Sequence, residues 1–128
     1  KTTKGGYNAN LKTKTIAYPS QQAVDNKNNR IFNEKVNAVI ENTNGVIVDI
    51  EKAFDDWESV NVIVSDSWYY SAEHEKERFV KQVSDSVANL LYNTEKVASD
   101  DYIQVYFVDT YGEVLAEPKM FGGHEIKK

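Results

Sequence analysis

Two histidines, a serine-rich run and several paired carboxylates are the side chains whose spacing could do chemistry in this chain. In Asp66-Ser67-Trp68-Tyr69-Tyr70-Ser71, His74 follows one helical turn beyond Ser71. That is the nearest approach to the hydroxyl, base and acid that nucleophilic catalysis needs. No Gly-x-Ser-x-Gly elbow accompanies the run, and His74 stands among Glu73, Glu75 and Glu77, where a first helical turn is solvated. His124 follows Gly122-Gly123, whose backbone freedom works against the fixed orientation a general base requires.

Carboxylates pair at Asp55-Asp56, at Asp100-Asp101 and across Asp49 and Glu51. Adjacent acids do not converge on one substrate atom, and these fall at turns or on strand faces where acids are ordinarily solvated. Asp109-Thr110-Tyr111-Gly112-Glu113 carries two acids, too few for the alternating oxygens of a calcium loop. Gly5-Gly6 and Gly122-Gly123 lack the strand before and helix after that make a phosphate loop. With no cysteine and two histidines there is no disulfide, no thiolate nucleophile and no multi-histidine zinc set. The expectation is a chain with no catalytic residues, no metal and no cofactor.

Composition narrows the classes further. The 128 residues hold 15 basic and 20 acidic side chains, a net charge of −5 that argues against a nucleic-acid partner. The longest apolar runs, such as Val46-Ile47-Val48, fall far short of the roughly 20 residues of a bilayer span. Charge is also segregated. Lys1, Lys4, Lys12 and Lys14 precede the first acid, Asp25, whereas residues 25 to 118 hold −11. Lys1, not methionine, opens the chain. A basic polar spacer ahead of an acidic body sets the expectation of a bacterial extracytoplasmic protein, either secreted or surface-tethered, a lipoprotein being one form of such tethering.

The elements that must position these residues follow from periodicity. Residues 1–23 are polar, carry no helical or strand period and read as a flexible basic tail or linker, leaving residues 24–128 as one α+β domain. From Asn28, Phe32, Val36, Val39 and Ile40 form one helical stripe that Asn44-Gly45 ends. Val46, Val48 and Ile50, then Val60, Val62 and Val64, alternate as two strands, the second continuing through Trp68 and Tyr69. A second helix carries Phe79, Val80, Val83, Val87, Leu90 and Leu91 on one stripe behind Ser71 as N-cap. Ile103, Val105 and Phe107 mark a third strand, and a turn at Asp109–Gly112 leads to a fourth that ends at Pro118; Met120 to Ile126 is undecided.

Helix-strand-strand-helix-strand-strand predicts a two-layer sandwich: an antiparallel four-stranded sheet with two helices on one face. These units resemble, in architecture alone, those of small bacterial cell-envelope domains such as the BON type. If Val46, Val48 and Ile50 face the helices with the other odd-even partners, then Ile47, Ile63, Tyr102, Tyr106 and Val108 point away from them. Trp68, Tyr69 and Tyr70 extend that patch at one end. An open sheet face is ordinarily polar, so these eight residues are the candidate binding surface. The function expected is a non-catalytic interaction module, binding a protein partner or forming a homodimer through this face. The alternative is a small-ligand or carbohydrate site in which Trp68, Tyr69, Tyr70 and Tyr106 stack on a ring while Asp66 and Gln104 hydrogen-bond it.

Overall fold

The computed structural model describes residues 20–128; of the segment read as a tail, residues 1–23, the first 19 lie outside the described residues. The helix α1, Gln21–Asn42, begins before the apolar stripe does. Ser20 caps it by accepting the Ala23 N–H at 3.1 Å, and the Gln21 side chain donates to Asp25 one turn on. Local polar contacts thus start a helix inside residues expected to be unstructured, and Phe32 and Val36 then bury the next turns.

Five strands form one sheet in chain order: β1 Ile47–Lys52, β2 Ser59–Val64, β3 Gln104–Val108, β4 Val114–Pro118 and β5 His124–Ile126. The class is α+β with two helices on one side, but the sheet is mixed rather than antiparallel, with five strands rather than four. β1 and β2 are an antiparallel hairpin, whereas β2 and β3 run parallel, from Ser59 opposite Gln104 to Ile63 opposite Val108. The physical reason is α2, Glu73–Asn93, whose 21 residues carry the chain back along the sheet, so that β3 starts from the same end as β2. The undecided C-terminal stretch closes the sheet as β5, with Ala116 opposite Ile126 and Pro118 opposite His124.

The expected continuation of β2 to Tyr69 does not occur. After Val64 the chain turns into a short 3₁₀ helix, η1, Asp66–Tyr70. Ser71 does not cap α2 either: its hydroxyl donates to the Ser67 carbonyl at 3.2 Å, while Ala72 holds the N-cap position and its N–H donates to the Glu75 carboxylate at 2.7 Å. This tight turn throws Trp68 inward.

The core lies between the helices and one face of the sheet. Val60, Val62 and Val64 from β2 and Val105 and Phe107 from β3 meet Val80, Val83, Val87, Leu90 and Leu91 of α2, with Phe32 and Val36 of α1 alongside. Trp68 completes it, its ring 6.4 Å from that of Phe107 and 6.3 Å from that of Phe79. Trp57 staples α1 to the β1–β2 hairpin through an edge-on contact with Phe32 at 4.8 Å.

Candidate functional site

Strand pairing fixes which side chains share the face turned away from the helices, because residues directly opposite each other in the register point the same way. One row across it is Asp49, Ile63, Val108 and Val114: Asp49 pairs with Ile63, Ile63 with Val108, and Val108 with Val114. A second is Glu51, Asn61 and Tyr106, followed by Glu117 one step along β4 from Ala116 and by Glu125 on β5. Ile63 and Tyr106 are half-buried, Val114 is exposed, and Val108 is buried without belonging to the core cluster. The result is a small apolar centre with one tyrosine hydroxyl, and neither helix covers it.

Four of the eight expected surface residues therefore stand on this face or at its margin: Ile63, Tyr106 and Val108 within strands, and Tyr102, exposed, just before β3. Ile47 does not. It is fully buried in the core because β1 carries a bulge: Ile47 opposes Val64 and Asp49 opposes Ile63, leaving Val48 as the extra residue. The insertion reverses odd-even parity, so Ile47 and Ile50 face the helices while Val48 is 47% exposed. Trp68 is the second correction: the turn of η1 buries it to 2% exposure. It presents no surface on which a sugar ring could stack.

Tyr69 and Tyr70 stand at the end of the sheet rather than on its face. Tyr70 projects into solvent, 89% exposed. Tyr69 is tied down, its hydroxyl donating to Asp109 Oδ2 at 2.8 Å. Asp109 is the organising residue of the β3–β4 turn, and its other carboxylate oxygen accepts the N–H groups of Tyr111 and Glu113, both at 2.9 Å. Gly112 supplies the left-handed backbone, φ +89°, that the fourth position of this turn takes. The Glu113 N–H, with further donation from Tyr69, Tyr111 and Gly112, holds the Asp109 carboxyl below its ordinary range against the opposing effect of burial. The bond to Asp109 in turn raises the Tyr69 phenol to about 12. With its oxygens committed to these donors, Asp109 acts as a turn staple.

The histidines are placed apart from any nucleophile. His74 is exposed on the first turn of α2; Ser67 shares its hydroxyl with Ser65 at 2.8 Å, and Ser71 points at the main chain. His124 is more enclosed, packed edge-on against Phe107 beside a cavity of about 470 Å³ between α2 and β5. Its Nε2 lies 2.8 Å from the Val105 carbonyl, which can only accept, so that nitrogen carries the hydrogen. Ser84 Oγ is 3.4 Å from the same nitrogen and therefore has no base to which it could pass its proton. Asp56 and Asp101 come close enough to Glu58 to raise its carboxyl above the ordinary value, Asp101 having the larger effect. Among the described residues no group of three or more His, Asp or Glu is arranged to hold a metal ion, and no helix is long and apolar enough to cross a membrane.

No family model matches the chain, and neither a curated protein nor a solved structure matches it. The site rests on its own geometry.

Sequence reasoning missed Val114 and the acids of the outer face, Glu117 and Glu125. Val114 carried a usable signal, since residues 113 to 117 read as a strand whose alternation can turn it outward. Glu117 did not, because the register shift that pairs Phe107 with Ala116 but Val108 with Val114 turns both 114 and 117 outward, which alternation forbids. Asp49 and Glu51 read only as a solvated pair, although alternation with the inward Ile50 already turns them outward; the bulge displaces Ile47 and Val48, not these acids.

Proposed function

We propose that this chain is a non-catalytic binding module that engages a protein partner, or a second copy of itself, through the sheet face opposite the helices. The observation that carries the reading is the contiguous set Ile63, Tyr106, Val108 and Val114 on a face that the pairing register turns away from both helices. Surface of this kind is where a partner gains most by excluding water, and a tyrosine adds area and a hydroxyl with few rotamers to lose. The relation of the hydroxyls to the two histidines supports the non-catalytic part. Placing the module in a bacterial envelope protein belongs to the same proposal and is supported by the separation of the four N-terminal lysines from the acidic body.

A photo-crosslinking phenylalanine analogue installed at position 106 tests it, with position 77 on α2 as the control, in cells that make the natural protein. The expected result is a discrete adduct from position 106 and none from position 77. An adduct at twice the mass of the chain identifies a second copy; any other mass identifies a partner. Absence of adducts from position 106, or equal adducts from both positions, sinks the reading.

A further inference from the structure

Whether a second copy or a different protein occupies the sheet face is decided by the charges that border it, granted that the face is a binding surface. On the β1 side the apolar centre is bordered by Asp49 and Glu51, and on the opposite side by Glu117 and Glu125. Lys127 stands between these two, its Nζ 3.0 Å from Glu117 Oε1 and Glu125 close enough to help hold its ammonium protonated, which leaves one uncompensated acid on that border. The nearest other cation on β1, Lys52, pairs with Val60 and so belongs to the helix side, where its ammonium lies 6.0 Å from the Trp57 ring centroid. The face is thus an apolar strip between two acidic borders, on a body whose residues 25 to 118 hold −11.

We infer that its occupant is a cationic amphipathic polypeptide segment of another protein, with apolar side chains on Ile63, Tyr106 and Val114 and lysine or arginine side chains on the borders. Two copies packed face to face would set acid against acid on both borders, and like charges in juxtaposition oppose association. A cationic segment meets the reverse situation. The acidic field draws it in, the borders fix its lateral position, and the strip supplies the area that excludes water.

The test uses the full chain and a fluorescent synthetic peptide of alternating lysine and leucine, with a second peptide carrying glutamate for lysine. The lysine peptide should bind, more weakly as salt rises, and the glutamate peptide should not. Ile63→Ser with Tyr106→Ser, and separately Glu51→Lys with Glu117→Lys, should each weaken binding by about tenfold or more. Glu73→Lys with Glu77→Lys on α2 makes the same charge change away from the face and should alter binding by less than about twofold. Circular dichroism confirms that each variant is folded. If the α2 variant weakens binding as much as the face variants, or the glutamate peptide binds equally, the peptide follows net charge or bare apolar surface and the inference is overturned. Sedimentation of the full chain without peptide adds a separate outcome: a dimer that Ile63→Ser dissociates assigns the face to a second copy. That result overturns the inference while leaving the binding face itself intact, whereas silence in the crosslinking experiment removes the binding face.

Discussion

The two faces of this sheet are made by the same strands, a residue apart, and they do opposite things. On the helix side Val60, Val62, Val64, Val105 and Phe107 are at most 3% exposed and every one of them touches the core cluster. On the other side Ile63 and Tyr106 stop at half-burial, Val108 is buried, and Asp49 and Glu51 on β1 and Glu117 and Glu125 on β4 and β5 stand toward the margins. The first face is apolar at each of these positions because folding alone demands it. The second is apolar in its centre and charged at its borders, a division that folding does not require. Burial by itself therefore says little about purpose; the apolar surface that the core leaves over is the informative part.

The largest break in this comparison comes from truncating one residue on each face. Phe107→Ala removes a fully buried ring that packs on Trp68, Phe79 and His124, and should cost about 3–5 kcal/mol, close to the whole stability of many domains of this size. Tyr106→Ala, its immediate neighbour, should cost less than about 1 kcal/mol. Urea denaturation of the two variants measures both. A Tyr106→Ala cost as large as that of Phe107→Ala would mean that the open face is structural core, and the binding proposal would lose its ground.

A smaller effect is expected at the end of the sheet, where Tyr69 and Asp109 join η1 to the β3–β4 turn. Asp109 is held below its ordinary value by folding, so its contribution is present at neutral pH and is lost as pH falls through the folded value. Tyr69 is shifted the other way. Its contribution is complete below the unfolded phenol value, roughly 10, and is lost as pH rises through the folded value of about 12. Tyr69→Phe should thus lower the denaturation midpoint most in the neutral range, with the gap from wild type narrowing at both acid and alkaline extremes. A gap that stays constant with pH would show that the phenol contributes packing and no hydrogen bond. Either outcome leaves the two faces as they are.

How far the sequence discloses this molecule depends on whether a feature is periodic. The stripes of both helices and the alternation of β2 and β3 are periodic, and their inward residues are the core. Residues 21 to 27 carry no apolar period, and their helix is set by one serine cap and a glutamine–aspartate contact that composition does not display. Parallel pairing of β2 with β3 was open to inference from the long intervening helix, yet two equal helix-hairpin units suggested antiparallel order. Trp68 reads as strand because aromatic residues resume at 68 to 70 beyond Val64, whereas the serines at 65 and 67 mark the turn. On the candidate face, Ile63, Tyr106 and Val108 were legible by parity. Ile47 was not, because a single inserted residue has no signature in composition and reverses everything on one side of it.

That insertion offers the smallest and most selective way to sharpen the comparison. In β1 the chain places Ile47 inward, bulges at Val48, points Asp49 outward and returns Ile50 inward. Removing Val48 would leave Ile47, Asp49 and Ile50 in strict alternation, with Ile47 still opposite Val64 and Ile50 still opposite Val62. Deletion of Val48 should therefore change stability by less than about 1 kcal/mol, although it shortens a strand in the middle of its pairing. Deletion of Asn61 from the regular strand β2 has the opposite consequence. It sets Val60 beside Val62, so that one of two fully buried valines must leave the core, at about 2–4 kcal/mol. Thermal melts of the two single-residue deletions distinguish these cases. Equal losses would mean that Val48 is a paired strand residue, and the inward placement of Ile47 would then need a cause other than a bulge.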